Sequence, residues 1–275
     1  MGLRVNTNLA SLSAQKNLAN ISERLNGNFR RLASGMRIAA ASDDAAGLGI
    51  SERMRAQVRS LNQAARNGQD GISLVQTTEG ALHESNSNLI RMRELAIQAA
   101  NGTYNTGDRT TLDAEFQFLI EEIDRIATTT KFNDVAVLNQ PGGTVNIQIG
   151  TEANETIVLD LADVSSSTLG LSGASFNLLT ASNAAGVLAT LDAAVDSLST
   201  TRGNLGAAQN RMDSAVRSIR NTTENLAAAE SRIRDVDIAI ETADLTRNTI
   251  MQQAAVSVLS QANLQPQIAL ALLQG

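Results

Sequence analysis

The most regular feature of the chain is a seven-residue repeat of apolar positions in its C-terminal half. One apolar residue falls at every seventh position, namely Leu191, Leu198, Leu205, Met212, Ile219, Leu226, Ile233 and Ile240. Seven residues make two turns of an α-helix, so these side chains line one face, which we call the seam. The repeat predicts one long helix over residues 188–243. It also predicts a partner helix, because a helix of this kind cannot bury its apolar face alone.

A second stretch with the same repeat supplies the partner. Between residues 43 and 100 the seven-residue spacing recurs in Met54, Leu61, Val75, Leu82 and Leu89. The two stretches are similar in length and are joined by a long excursion of the chain, so they can lie side by side and run antiparallel. The seam therefore has two sides, one on each predicted helix.

Between the two long helices, the pattern predicts a shorter helix and then a β-hairpin. Apolar residues alternate in steps of four and three over residues 108–128, which predicts the helix. A polar loop is expected at 129–140, and strict alternation at 145–149 and 157–161 then predicts two strands. The predicted fold class is mainly α, with long antiparallel coiled-coil helices forming a rod, a third shorter helix and a small β-hairpin.

Both ends of the chain carry apolar stripes on predicted amphipathic helices. The stripe residues are Leu18, Ile21, Leu25, Phe29 and Leu32 near the N-terminus, and Ile250, Ala254, Val258 and Leu259 near the C-terminus. No internal segment is large enough to bury both stripes. We therefore expect the ends to be disordered in the monomer and to fold on assembly, with these residues as the polymerisation contacts.

Composition narrows the classes of function. Apolar residues make up 43% of the 275 residues and aromatic residues only 2%, and the net charge is −6. The negative charge argues against binding to nucleic acid. Cys is absent, which excludes disulfides and thiolate metal sites, and no apolar run is long enough to cross a membrane. With no cleavable signal at the N-terminus, composition alone predicts a cytoplasmic protein.

Residues that could support catalysis are few and poorly matched. His83 is the only histidine, and although it begins a sequence similar to the zinc-binding HExxH motif, Ser87 stands in place of the second histidine. Asp43 and Asp44 form a carboxylate pair, but they follow Ser42, a helix-capping residue type, and are better interpreted as the first turn of a helix. We predict no enzyme activity, catalytic residue, metal site or cofactor.

Long motifs at both ends of the chain resemble those of bacterial flagellin. Residues 32–82, which contain SDDAAGLGISERM and GISLVQTTEGAL, are similar to the N-terminal signature of that family. Residues 91–103 and 112–134 are similar to further flagellin segments, and residues 225–273 resemble the C-terminal signature. The resemblance covers nearly the whole chain.

The resemblance implies a division into two domains. The inner domain, called D0 in flagellins, would comprise residues 1–42, which form the N-terminal helix and its connector, and the C-terminal helix at 236–275. The next domain, D1, would comprise residues 43–187, with the long helix, the short helix, the hairpin and the outer loop, and the long helix at 188–235. No independent outer domain is expected.

The same resemblance implies a function in motility. Flagellins are structural subunits that self-assemble into the hollow helical filament of the flagellum, after export in an unfolded state by the flagellar type III apparatus. This implies an extracellular location instead of a cytoplasmic one. The implied partners are other copies of the chain, an export chaperone, the filament cap and hook-associated proteins. Two alternatives stay open, a hook–filament junction protein and a secreted coiled-coil adhesin.

A further partner that the resemblance implies is the vertebrate innate-immune receptor for flagellin. The positions that match its contact surface are Arg91, Leu95 and Glu115. The residue before Arg91 is Ile90, where recognised flagellins usually carry Gln. For Leu95, packing on the apolar face of its own helix is an equally good interpretation.

Overall fold

The structure is a computed structural model that describes residues 7–173 and 175–274, with side chains up to Leu264. These residues form helices and two small antiparallel sheets. In chain order the helices are α1 (Leu9–Ser34), α2 (Ala45–Ala100), α3 (Thr106–Thr129), α4 (Ala181–Arg234) and α5 (Ile238–Gln274), and the strands are β1 (Lys131–Phe132), β2 (Val135–Ala136), β3 (Thr144–Gln148) and β4 (Thr156–Asp160).

The chain divides into two compact units. The central unit is Gln57–Glu224, and the terminal unit comprises the residues up to Ala56 together with those from Asn225 onward. Both α2 and α4 contribute residues to each unit. Residues 1–6 and Gly275, which belong to the predicted D0 domain, lie outside the described residues. The D0 and D1 ranges stay predictions.

Within the central unit, α2 and α4 pack side by side and run antiparallel. Nε of Arg93 on α2 lies 2.6 Å from Oδ1 of Asp192 near the start of α4. Earlier on α2, Glu79 lies 3.6 Å from Arg202, which is further along α4. Seam residues that belong to one buried cluster, each at most 7% exposed, are Val75, Leu82, Leu89, Leu191, Leu198, Leu205, Met212 and Ile219. The prediction of long antiparallel helices in a mainly α fold is confirmed.

Two glycines on α2 let α4 approach closely. A Cβ atom added to Gly68 would lie 2.6 Å from Cγ2 of Val216, and one added to Gly71 would lie 2.8 Å from Sδ of Met212. Both distances are shorter than van der Waals contact, so a side chain at either position requires the helices to separate or repack. Close packing here offsets the cost of Gly in a helix, which is about 0.5–1 kcal/mol relative to Ala.

A capping box at the start of α3 and apolar packing along its length hold this helix in place. The side chain of Asn105 accepts a hydrogen bond from the backbone N–H of Asp108, and the side chain of Asp108 accepts one from the N–H of Asn105. Phe116 is fully buried in the same cluster as the seam, and its ring centroid lies 5.4 Å from that of Phe176. The predicted third helix is confirmed. It starts at Thr106, two residues before the predicted start, because the capping residue is Asn105.

The predicted β-hairpin is present as β3 and β4. In its register, Val145 lies opposite Leu159 and Ile147 lies opposite Ile157. Leu159 and Ile157 are buried, whereas Val158 on the other face of the same strand is 47% exposed. The alternation of apolar positions therefore separates a core face from a solvent face, as expected for a two-stranded antiparallel sheet.

A smaller hairpin lies where the sequence pattern predicted only a polar loop, at residues 129–140. β1 and β2 pair with Phe132 opposite Val135. The two residues between them, Asn133 and Asp134, have φ values of 48° and 66°. Asn and Asp adopt this left-handed conformation more readily than other non-glycine residues, so a two-residue turn forms there. The adjacent Asn and Asp were the available signal for this hairpin.

The prediction of one continuous helix over residues 188–243 is wrong. α4 begins at Ala181 and ends at Arg234, and α5 begins at Ile238. Oδ1 of Asp237 accepts hydrogen bonds from the backbone N–H groups two and three residues later, at 2.9 and 3.2 Å, and so caps a new helix. Four of the remaining seam residues are half-buried, namely Met54, Leu61, Leu226 and Ile233. The last seam residue, Ile240, lies on α5 and is exposed.

The start of α2 depends on a different residue from the one expected. Oδ1 of Asp44, not the hydroxyl of Ser42, caps the helix by accepting a hydrogen bond from the backbone N–H of Gly47 at 2.9 Å. Asp43 lies outside the helix, and its Oδ2 accepts the N–H of Ala40 at 3.0 Å. That hydrogen bond is the main cause that lowers the pKa of the Asp43 carboxyl below its ordinary value.

Comparison of Gly68→Ala with Gly80→Ala tests the close approach of α2 and α4. Gly80 lies in the same helix with nothing within 4 Å of an added Cβ, so Gly80→Ala should raise the free energy of unfolding by about 0.5–1 kcal/mol. Gly68→Ala gains the same helix propensity but displaces Val216, so we expect it to be about 1–3 kcal/mol less stable than Gly80→Ala. Urea unfolding followed by circular dichroism measures the difference, and equal stabilities would contradict the close packing.

Candidate self-assembly surface

α1 and α5 pair with each other in the terminal unit, and polar contacts at one end fix their alignment. Nδ2 of Asn8 donates to the carbonyl oxygen of Ala262 at 2.7 Å, and Oγ of Ser11 donates to Oδ1 of Asn263 at 2.7 Å. Asn8 also caps α1, because its Oδ1 accepts the backbone N–H of Ser11. The start of α1 therefore lies beside a late part of α5, and the pair is antiparallel.

A buried polar cluster fixes the same pair near the end of α1. Asn28 donates from Nδ2 to Oε1 of Glu241 and accepts at Oδ1 from Nδ2 of Asn248 at 2.8 Å. Nε of Arg31 lies 2.9 Å from the same Glu241 oxygen. Asn28, Glu241 and Asn248 are all buried. Sliding either helix by one turn would leave these polar groups buried without partners, so the cluster sets the register of the pair.

The predicted polymerisation residues divide by exposure. Leu25 is buried, and the half-buried ones are Leu18, Ile21, Leu32 and Leu259. The exposed ones are Phe29, Ile250, Ala254 and Val258. We expected that no internal segment is large enough to bury both stripes; α1 and α5 pair with each other and cover the first two groups, but leave the last group exposed. Disorder of these helices in the monomer stays a prediction.

The terminal unit exposes more apolar side chains than the stripes alone contain. Those that are more than half exposed are Leu9, Leu12, Phe29, Ile238, Ile240, Ile250, Val256, Val258 and Leu264. Among the described residues of the larger central unit, only Phe118 exceeds that exposure. Exposed apolar side chains in this number are typical of an interaction surface. Sequence reasoning missed most of these residues, although the apolar residues on more than one face of α5 were an available signal.

A groove between α1 and α5 adds a concave apolar surface to the same unit. It has a volume of about 410 Å³, and the apolar side chains that line it belong to Ala14, Ile21, Met251, Ala254, Ala255 and Val258. Of the apolar side chains that are more than half exposed, only Val258 lines this groove, so the others form a different surface. A contact between these two surfaces would be heterologous and would join copies head to tail. Such heterologous contacts form open helical assemblies when the rotation between copies does not close a ring.

The segments that precede α2 and α5, both in the terminal unit, are hydrogen-bonded to each other. Met36 pairs with Asp235 in an isolated antiparallel bridge. The backbone N–H of Arg37 donates to the carbonyl oxygen of Arg234 at 2.7 Å, and its Nη2 donates to that of Ile233 at 2.6 Å. Arg37 thereby satisfies carbonyl groups that the end of α4 leaves without helical partners.

Two of the three residues predicted to contact the immune receptor share a surface of the central unit. Nη2 of Arg91 lies 2.8 Å from Oε1 of Glu115, and Nη1 lies 3.0 Å from Oε2 of Glu94. Arg91 and Glu115 are both about half exposed. Leu95 is fully buried in the core, so it packs within the protein and does not contribute to this surface. Receptor contact at Arg91 and Glu115 stays a prediction.

The structure places His83, the first residue of the sequence similar to a zinc-binding motif, on the exposed surface of α2. Among the described residues, no three His, Cys, Asp or Glu side chains lie together as ligands for a metal ion. No helix in this part of the chain is long and apolar enough to span a membrane.

Family models match both halves of the chain. The model for the bacterial flagellin N-terminal helical region matches residues 5–141, and the model for the bacterial flagellin C-terminal helical region matches residues 188–273. Between them they cover most of the sequence, including every helix of the structure in whole or in part.

Relatives are similar over almost the whole length. The chain is 46% identical to a flagellin of Halalkalibacterium halodurans over 270 residues, which are 98% of this chain and 99% of the relative. It is 40% identical to the flagellar filament 30.7 kDa core protein of Treponema maltophilum, with 98% and 99% of the two chains covered. It is 39% identical to the flagellin of Bacillus subtilis, with 99% and 100% covered.

A solved structure agrees with these matches. The crystal structure of Bacillus cereus flagellin is similar with a TM-score of 0.51 at 34% identity, covering 60% of this chain and 94% of that one. The sequence motifs, the family models, the near full-length relatives and the fold all indicate the same family. The chain belongs to the bacterial flagellin family.

Proposed function

We propose that this chain is the structural subunit of a bacterial flagellar filament, which assembles from copies of the chain and serves motility. The observation that carries the proposal is the set of apolar side chains left more than half exposed on the terminal unit. Membership of the flagellin family supports it, as does the similarity to a filament core protein.

Apolar burial between copies is the driving force of this assembly. Fully burying one Val, Leu, Ile or Phe side chain contributes about 1.5–3 kcal/mol. Covering several of them offsets the loss of translational, rotational and side-chain freedom when subunits associate. Because the force is hydrophobic, salts such as sulfate, which are excluded from protein surfaces, strengthen it.

The predicted polymerisation residues have two different tasks in this proposal. Phe29, Ile250, Ala254 and Val258 are exposed and contact neighbouring copies. The residues that α1 and α5 cover between them, with Leu25 as the most buried, stabilise the helix pair that presents those contacts. The pair corresponds to the inner domain that the flagellin resemblance implies, and the ranges 1–42 and 236–275 are our proposal for its extent.

We extend the proposal to the route and the partners of the subunit. The chain leaves the cell unfolded through the flagellar type III apparatus and takes its place in the extracellular filament. The absence of Cys and the presence of only two Pro suit this route, because neither disulfides nor many slow prolyl isomers have to form afterwards. An export chaperone, the filament cap, hook-associated proteins and, at Arg91 and Glu115, the vertebrate flagellin receptor are the further partners.

Electron microscopy of the purified chain under salting-out conditions tests the proposed function. We expect long filaments from the full chain. Removal of residues 1–34, or of residues from 238 onward, should leave a soluble protein that forms none, because each deletion removes one member of the α1–α5 pair. Filaments from either truncated chain would contradict the account. Discrete rings or rods from the full chain would favour the hook–filament junction protein or the adhesin.

Phe29→Gln tests whether an exposed apolar residue of the terminal unit drives assembly, and Phe118→Gln in the central unit is its matched control. The two side chains are 57% and 68% exposed, so neither substitution should change the free energy of unfolding by more than about 0.5 kcal/mol. Loss of burial between copies should raise the critical concentration for polymerisation of Phe29→Gln by about tenfold or more.

Sedimentation of the polymer at a series of protein concentrations measures this effect. Phe118→Gln should polymerise at the concentration of the unmodified chain. Equal critical concentrations for the two variants would contradict the proposal that exposed apolar residues of the terminal unit drive assembly.

A further inference from the structure

Three Asn-Gly pairs occur in the chain, at Asn26-Gly27, Asn67-Gly68 and Asn101-Gly102. In such a pair the backbone nitrogen of Gly can attack the side-chain carbonyl carbon of Asn, because Gly has no side chain to obstruct the approach. The attack requires rotation of the backbone between the two residues and a backbone N–H that is open to a base. The three pairs differ in both conditions.

Asn101-Gly102 lies in an exposed turn between α2 and α3. α2 ends at Ala100, and both residues of the pair are exposed. The N–H of Asn101 donates to the carbonyl oxygen of Gln98. Among the described residues, by contrast, no acceptor takes the N–H of Gly102. The nitrogen that would attack is therefore open to a base from solvent.

Arg109 is placed to activate that nitrogen. Its Nη2 lies 3.0 Å from the carbonyl oxygen of Asn101. This carbonyl and the N–H of Gly102 belong to the same peptide group, so a cation at the oxygen stabilises the anion that forms when the nitrogen loses its proton. The N–H of Tyr104 donates a second, longer hydrogen bond to the same oxygen at 3.4 Å.

The backbone of Thr103 is placed to activate the carbon that is attacked. Its N–H donates to Oδ1 of Asn101 at 3.3 Å. Attack on Cγ of Asn101 puts negative charge on this oxygen, and the N–H stabilises it as an oxyanion-hole donor does. The same hydrogen bond closes an Asx turn that spans Asn101, Gly102 and Thr103.

We propose that Asn101 is a site of spontaneous deamidation whose rate Arg109 raises. A base from solvent removes the Gly102 amide proton, and the nitrogen forms a bond to Cγ of Asn101. The bond between Cγ and Nδ2 breaks, and Nδ2 takes a proton from water and leaves as ammonia. Water then opens the cyclic imide at Cγ to give Asp, or at the main-chain carbonyl carbon to give isoaspartate. No atom is oxidised or reduced.

Of the other two pairs, Asn67-Gly68 is the control within the same molecule. Asn26 and Asn67 lie inside α1 and α2, where the backbone conformation is fixed and the following N–H is bonded within the helix. Asn67 is held further, because its Nδ2 donates to the carbonyl oxygen of Gln148 at 3.1 Å and its Oδ1 accepts from Gln63 at 2.9 Å. Asn67-Gly68 lies in the central unit, which we expect to be stable in the monomer, so this pair reacts only after local unfolding. Asn26-Gly27 lies in α1, which we predict to be disordered in the monomer, so its rate does not test the assignment.

The reaction changes the charge and the connection at the end of α2. A new carboxylate appears beside the last carbonyl groups of the helix, where negative charge is unfavourable with the helix dipole, and close to the guanidinium of Arg109. The isoaspartyl product also lengthens the main chain between α2 and α3 by one methylene. The reaction takes place in the monomer and does not depend on assembly.

Peptide mapping by mass spectrometry tests the site. The purified full chain is incubated in mildly alkaline buffer, and conversion of each Asn-Gly pair is followed over time. We expect Asn101 to convert to Asp and isoaspartate about tenfold or more faster than Asn67, because α2 must first open at that helical pair. A similar or faster rate at Asn67 would overturn the assignment.

Arg109→Met tests the activation. Arg109 also donates from Nε to the carbonyl oxygen of Ala99 at 2.9 Å, so its removal loosens the end of α2. A purely structural role therefore predicts faster deamidation of Asn101 in the variant. Activation predicts the opposite, a rate at Asn101 about threefold to tenfold lower with the rate at Asn67 unchanged. An unchanged or higher rate at Asn101 would refute the role of Arg109. Gly102→Ala should slow the reaction in either case.

Discussion

Antiparallel packing of long helices at close distance is the interaction on which the rest of this structure depends. Aromatic residues make up only 2% of the chain, so the core of the central unit is built from aliphatic side chains. Gly68 lets α4 approach α2 until an added Cβ would overlap Val216. Each helix thereby buries an apolar face that it cannot bury alone. α3 and the β3–β4 hairpin add Phe116 and Leu159 to the same cluster, so the central unit completes its core within one chain.

The terminal unit has a different balance of forces. Its helix pair is aligned by the buried cluster of Asn28, Glu241 and Asn248, which specifies register but contributes less net stability than apolar packing of the same volume. Apolar side chains that could supply that stability, among them Phe29 and Ile250, are exposed instead. Neighbouring copies of the chain would cover them. The central unit thus completes its core within one chain, whereas the terminal unit depends on neighbouring copies to cover its apolar side chains. This difference is the physical basis of the proposed filament subunit.

The elements that a repeat specifies could be predicted from the sequence. The long helices, α3 and the β3–β4 hairpin follow from apolar spacings of seven, of three and four, and of two. The break between α4 and α5 could not be predicted in this way, because Ile233 and Ile240 keep the seven-residue spacing across it. The break depends on the side chain of Asp237, which accepts hydrogen bonds from the backbone and caps α5. The polar cluster and the Arg37 contacts join residues far apart in sequence. For the same reason, the pattern identified the terminal stripes but not which of their residues the other helix would cover.

Amide hydrogen exchange, compared between the monomer and the assembled polymer, tests most directly whether neighbours stabilise the terminal unit. The account predicts that amides of α1 and α5 exchange rapidly in the monomer and become about a hundredfold or more protected on assembly. Amides of α2 and α4 within Gln57–Glu224 should be strongly protected in both states. If α1 and α5 are already as protected in the monomer as the central unit, and assembly leaves their exchange unchanged, the terminal unit is stable by itself and the account is contradicted.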